Sequence, residues 1–194
     1  MVYNPFLNLN IRGSNLLKLY KQTESGLQYW EAWEDEDKIV THRGTLGETG
    51  VTVEIPLSAS EDAEILIERE SKPHRANGFE ELEPLAELVV QYKCDDWGSP
   101  EDLDKRHKVE DLMNECLGWT GNGHCDGGDI GSGSINIFSC VVDPEIAART
   151  AIECLGEENL LEGAIIAIRE TTEQEVEKYL VRWPENFEGE FFPY

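Results

Sequence analysis

Apolar and polar positions alternate most clearly near the start of the chain, with the period of two that marks a half-buried strand. Leu27-Gln-Tyr-Trp-Glu-Ala-Trp33 carries this pattern, and the stretch from Asn15 to Thr23 before it also has strand character. The acidic turn Glu34-Asp-Glu-Asp37 leads to a third predicted strand, Lys38-Ile-Val-Thr-His-Arg43, and Val51-Thr-Val-Glu-Ile-Pro56 reads as a fourth. Between these two, Gly44, Gly47 and Gly50 predict a tight turn, where glycine reaches positive φ at little cost. Ser58 to Glu70 predicts a capped helix with acids in its first turn, closed by Pro73 and Gly78. Four strands and a helix make a first module over residues 1–83, an antiparallel meander with one helix on its face.

The pattern then restarts. Glu87-Leu-Val-Val-Gln-Tyr-Lys-Cys94 is a strand rich in β-branched and aromatic residues. Ser99-Pro100 opens a helix, with Asp102 three residues after the cap. Leu103, Val109, Leu112, Met113, Cys116 and Leu117 follow at near-helical spacing and predict its buried side. After a glycine-rich stretch at 118–133, Ser134 to Val142 is the strongest strand signal in the chain. Asp143-Pro144 caps a second helix with Ile146, Ala147, Thr150, Ala151, Cys154 and Leu155 on one side. A strand at Gly163–Arg169, a turn at Thr171–Glu175 and a last strand at Val176–Trp183 complete the pattern. The expected fold class is α+β: the first module, then a ferredoxin-like α/β sandwich over residues 84–194 with two helices on one sheet face. The acidic, aromatic tail from Pro184 to Tyr194 is expected along a sheet edge.

Charge narrows the functional classes. Forty Asp and Glu stand against 16 Lys and Arg, a formal net charge of −24 in 194 residues. Nucleic-acid binding depends on cations displacing counterions from phosphates, so this balance disfavours it. Anionic membrane surfaces repel the chain for the same reason, and no apolar run approaches the roughly 20 residues that span a bilayer. The partners that suit the sign are cations, namely a basic protein, a metal ion or the salt of a halophilic cytoplasm, and the alternative is that the acidity serves solubility alone. The second module is the more acidic, with 24 acids and 8 bases against 16 and 8 in the first. The five cysteines Cys94, Cys116, Cys125, Cys140 and Cys154 form no CxxC pair, which predicts reduced thiols. With no basic and apolar leader at Met1–Phe6, a cytoplasmic address is expected.

Candidate chemistry concentrates in residues 118–133. A phosphate loop needs its glycines between a strand and a helix start, whereas here a helix precedes and a strand follows, and Asp126 and Asp129 would repel phosphate. A zinc site would need about four N or S ligands, and the loop offers the adjacent pair His124-Cys125. Cys125 beside His124 also suggests a nucleophile and base, but neighbours on a strand point to opposite faces. Glycine geometry favours a helix stop followed by a bulged hairpin. No catalytic residue, metal or cofactor is therefore expected. Trp97, Trp119 and Trp183 near loops and strand ends, with His124, Asp126 and Asp129, form the candidate partner-binding set: aromatic anchors among carboxylates.

Two likenesses accompany this reading. Tyr29-Trp30-Glu31, the stretch Arg43-Gly44-Thr45-Leu46-Gly47-Glu48-Thr49-Gly50 and the ending Lys72-Pro-His-Arg-Ala-Asn-Gly78-Phe79 resemble a WGR domain over roughly residues 15–83. At the name-giving triplet this chain has Arg43-Gly44-Thr45, so the signature Trp and Arg are absent. The resemblance implies the fold, and the family's DNA contacts would lack their side chains here. The glycine-rich hairpin and following strand resemble small bacterial ferredoxin-like proteins of unknown function, some found near toxin–immunity loci, over about residues 87–185. That likeness implies an immunity or inhibitor protein that occludes a basic partner. The alternatives are a WGR-type nucleic-acid-associated protein and an enzyme using the 118–133 loop.

Overall fold

A computed structural model of the chain describes residues 16–58, 60–82, 86–170, 178–189 and 191–193. They divide into two compact units: residues up to Glu83 together with Trp119–Gly121, and the remainder. The fold is α+β, with two antiparallel sheets of four and five strands and three helices among the described residues.

In the first unit β1 (Leu17–Thr23), β2 (Gly26–Asp35), β3 (Lys38–Thr45) and β4 (Val51–Pro56) form a meander in chain order, and α1 (Ala63–Ala76) packs on one face. Leu19, Trp30, Ala32 and Ile39 meet Ala63, Leu66 and Ile67 of α1 there. β2 is not half-buried as its alternation predicts: Tyr29 to Trp33 are five consecutive buried residues. The second face is closed in part by Trp119–Gly121, where Tyr20 Oη donates to the Gly121 carbonyl at 3.0 Å and the Trp119 indole meets His42 edge-on at 5.1 Å.

The helix differs from expectation at both ends. Its N-cap is Asp62, whose carboxylate accepts from the Glu64 and Ile65 amides at 2.9 and 3.3 Å, while Ser58 belongs to a preceding turn closed by Glu61 N–H. Pro73 lies inside the helix instead of ending it. Proline forfeits one backbone bond and crowds the preceding turn. The last turn persists because His74 stacks on Trp30 at 4.7 Å and meets Phe79 edge-on at 5.4 Å.

The second unit contains β5 (Ala86–Lys93), α2 (Pro100–Trp119, its last residue grouping with the first unit), β6 (Gly123–Gly131), β7 (Ser134–Val141), α3 (Pro144–Glu157), β8 (Ile165–Glu170) and β9 (Lys178–Trp183). The sheet order is β6-β7-β5-β8-β9. The sequence reading contained no β6. Glycine-rich and poor in β-branched residues, it pairs with β7 from Gly123↔Val141 to Gly131↔Ser134, with a bulge between Cys125 and Gly127. The expected helix stop and bulged hairpin are thus present, and the hairpin's first arm is a full strand. β5-α2-β6-β7-α3-β8 follows the β-α-β-β-α-β order, and β9 adds an edge strand. The expected turn at Thr171–Glu175 and strand start at Val176 lie outside the described residues.

Both helices cover one face of this sheet. Val109, Met113 and Leu117 of α2 and Ala147, Ala151 and Leu155 of α3 pack on Leu88, Val90, Ile135, Ile137 and Ile166. Leu103, expected in this layer, is 42% exposed because it lies nearly two turns before Val109, the first buried residue of α2. Ser99 and Asp102 cap α2 reciprocally: Asp102 Oδ2 accepts from Ser99 N–H at 2.8 Å, and Ser99 Oγ accepts from Asp102 N–H at 3.2 Å. Asp143 caps α3 by accepting from Ile146 N–H at 2.9 Å. The tail does not keep to an edge: the Phe192 carbonyl accepts from Gln91 on the central strand β5 at 2.9 Å. Among the described residues no helix is long and apolar enough to cross a membrane.

Candidate functional site

Trp97 stands on the loop between β5 and α2, and its side chain is 84% exposed. Around it the backbone is firmly held. Cys94 N–H donates to the Gly133 carbonyl at 3.0 Å, and Gly133 N–H returns to the Asp96 carbonyl at 3.0 Å, so the loop is tied to the tip of the β6–β7 hairpin. Gly98 N–H closes a turn on the Asp95 carbonyl at 2.6 Å, and the Ser99–Asp102 cap fixes the exit. Gly98 has φ +76°, and a Cβ there would stand 2.6 Å from Ile130. Asp96 carries φ +33°, a conformation L-residues avoid. A large apolar side chain is thus displayed in water on a loop that gives up backbone comfort to hold its shape.

Carboxylates precede this display and continue along the helices. Asp95 and Asp96 immediately precede Trp97, and the outward side of α2 exposes Glu101, Asp104, Asp111 and Glu115. On the same sheet face α3 exposes Glu145, Glu153 and Glu157. Neither α2 nor α3 has a basic residue in its last turn. The helix dipole disfavours anions at C-termini, so Glu157, the last residue of α3, costs helix stability instead of adding to it. The unit's cations are largely engaged: Arg106 pairs with Glu110 at 3.3 Å, Lys108 with Glu158 at 3.4 Å and Arg182 with Glu145 at 2.5 Å, while Lys105 lies 3.6 Å over the Tyr92 ring. The helical face is consequently a negative surface.

The other candidate residues do not all gather around Trp97. Asp129 lies on β6 toward the same hairpin tip and accepts from Asn136 Nδ2 at 2.8 Å. His124 and Asp126 sit at the other end of β6, Asp126 at the bulge. Trp183 ends β9, the opposite edge of the sheet, and packs partly on the core. Trp119 is half-buried in the first unit against His42. Trp97 and Asp129 are the pair brought to one end.

On the sheet face away from the helices, sequence reasoning missed a polar layer. Gln91 Nε2 donates to Asn136 Oδ1 at 2.8 Å, and Asn136 passes the chain to Asp129. His124 and Glu87 both stand opposite Cys140, and Tyr179 Oη donates to Glu87 Oε1 at 2.9 Å. The available signal was a polar residue inside each apolar strand, Gln91 in β5 and Asn136 in β7.

The thiols here are poorly suited to attack. Cys125 points into the core, where burial pushes its pKa up to about 12. Burial, then the Asp126 and Glu87 carboxylates, raise Cys140. Both remain protonated near neutrality, whereas the nucleophilic form is the thiolate. Among the described residues no three His, Cys, Asp or Glu side chains converge to hold a metal ion. Compared with protein-family models, curated proteins and solved structures, the chain matches none.

Proposed function

We propose that this chain is a non-catalytic acidic binding protein that docks on a basic protein and occludes its cationic surface, as an immunity or inhibitor protein does. The observation that carries this reading is the braced loop presenting Trp97. Tryptophan is the residue type most enriched among interface hot spots, and a preformed loop spares the ordering cost of binding. The sign of the partner follows from the carboxylates on the helical face, one of them, Glu157, kept where the helix dipole opposes it. Opposite fields draw such partners together quickly, and the buried aromatic then holds them.

The test is capture of partners on the immobilised full chain, with Trp97→Ala and a helical-face variant, Asp104→Lys with Asp111→Lys, in parallel. A basic protein is expected to be retained by the parent chain. Its affinity should fall at least about 30-fold with Trp97→Ala, a hot-spot loss of about 2 kcal/mol. Its association rate should fall steeply with added salt and with the lysine variant. A retained protein indifferent to both substitutions and to salt would overturn the reading. Trp97 touches no core cluster, so Trp97→Ala should leave the unfolding midpoint unchanged.

A further inference from the structure

Each sheet ends in two edge strands, and three of these four edges are guarded in ways natural proteins use against stray pairing. β1 is bridged by the chain itself: Tyr20 N–H donates to the Glu80 carbonyl at 2.7 Å, and Glu80 N–H returns at 2.9 Å. β6 is bulged, glycine-rich and carries Asp126 and Asp129. β9 pairs through an irregularity at Ile166/Ala167 and carries Lys178 and Arg182. Among the described residues β4 has no chain bridge, bulge or glycine; its guards are confined to Glu54 and the terminal Pro56. Its register with β3 runs unbroken from Arg43↔Val51 to Lys38↔Pro56, and its residues Val51-Thr-Val-Glu-Ile are strong strand formers. Val51 is 63% exposed and Val53 48% exposed, on the same face as Ile55, which packs toward α1.

We infer that β4 is a self-association edge, pairing antiparallel with β4 of a second copy about a twofold axis to make a continuous eight-stranded sheet. Charge selects a copy of this chain as the occupant. Residues 38–56 hold Lys38 and Arg43 against Glu48 and Glu54, a formal balance of zero in a molecule of net charge −24. Two such molecules repel over most of their surface and meet without like charges at this strand, whereas a basic partner is drawn to the carboxylates elsewhere. The strand is also self-complementary. With Val53 opposite its own copy, Val51 faces Ile55 and Thr52 faces Glu54, so apolar side chains meet on the α1 face and no carboxylate opposes another. Glu54 is paired at 2.8 Å within its own chain with Lys38, which also lies 3.5 Å from Asp35.

Sedimentation of the full chain from about 1 μM to about 1 mM, the affinity range of a small edge contact, tests this. A monomer–dimer equilibrium is expected, with more dimer at high salt because screening removes the net repulsion. A heterologous basic partner would show the opposite salt trend. Val53→Lys places two ammonium groups opposite each other at the axis and is expected to weaken dimerisation at least about tenfold. Val51→Lys, at the more exposed position, serves if the first variant unfolds. Amide exchange along β4 should slow with concentration in the parent chain alone. A monomer at every concentration and salt, or a dimer undiminished by a folded lysine variant, would overturn the inference.

Discussion

Replacing Glu31 with alanine is expected to destabilise the first unit by about 3–5 kcal/mol, the range for removing one partner of a buried ion pair. Glu31 is 1% exposed at the centre of β2. Its Oε2 lies 2.9 Å from Lys18 Nζ, and its Oε1 lies 2.8 Å from His42 Nδ1. His42 is wholly buried, and its Nε2 is 3.1 Å from Tyr29 Oη. The chain is satisfied when His42 donates its Nδ1–H to Glu31 and accepts the Tyr29 hydroxyl proton at Nε2. Alanine would leave an imidazole N–H without its acceptor and the Lys18 charge without its counterion, a larger loss than deletion of an exposed ion pair. Urea unfolding followed by tryptophan fluorescence checks this, and a loss below about 1 kcal/mol, the scale of a surface pair, would contradict it.

The same network sets a pH window. Burial works to raise the Glu31 pKa, but the Lys18 charge and the His42 hydrogen bond outweigh it, and the net shift is downward from 4.5. Its contribution is therefore fully present above that ordinary value and is lost as pH falls through the depressed folded value. Burial works to lower Lys18, but the Glu31 charge prevails and the net shift is upward from 10.5. Its contribution is present below 10.5 and is lost as pH rises through the raised folded value. Glu31→Ala should flatten both flanks of the stability–pH curve.

Gly50→Ala is expected to cost about 3 kcal/mol, at the upper end for overpacking a core. A Cβ at Gly50 would collide with Tyr29 Oη, and would stand 2.5 Å from both the Arg43 carbonyl oxygen and His42 Nε2. One of these is backbone and another belongs to a fully buried ring, so neither yields cheaply. Gly47→Ala makes the comparison: its φ is +87°, and an L-residue in that region costs about 1–2 kcal/mol. Equal midpoints for Gly50→Ala and the parent chain would mean that the network relaxes freely.

The comparison of Gly44, Gly47 and Gly50 shows how sequence and structure diverge. Reading all three as turn glycines holds for Gly47, whose φ is positive. Gly44 and Gly50 are glycine because Tyr29 presses against them, with Tyr29 Oη 2.9 Å from where a Gly44 Cβ would stand. A close approach by a residue 15 positions or more away leaves no mark in local pattern. Propensity failed likewise for β6: Gly-His-Cys-Asp-Gly-Gly-Asp-Ile-Gly resembles a loop, and only its ladder to the strongly patterned β7 makes it a strand. Where local chemistry decides, as at the Ser99–Asp102 and Asp143 caps, the reading holds to the residue. Trp97 was legible as a candidate because it lies among acids between two elements. Its separation from Trp119 and Trp183 depends on strand order, which no local pattern encodes.

The place of Trp119–Gly121 bears on how this chain can be cut. By connectivity these residues belong to the end of α2 and the turn after it, yet they wall the first unit's polar network: the Trp119 carbonyl oxygen lies 3.4 Å from Tyr29 Oη, and Gly47 N–H donates to the Thr120 carbonyl at 3.0 Å. A gene fragment ending at residue 83 would omit that wall and admit water beside His42 and Glu31. The two halves are thus not interchangeable cassettes, because a recombinant boundary drawn between them would sever the first half from three residues it borrows from much later in translation.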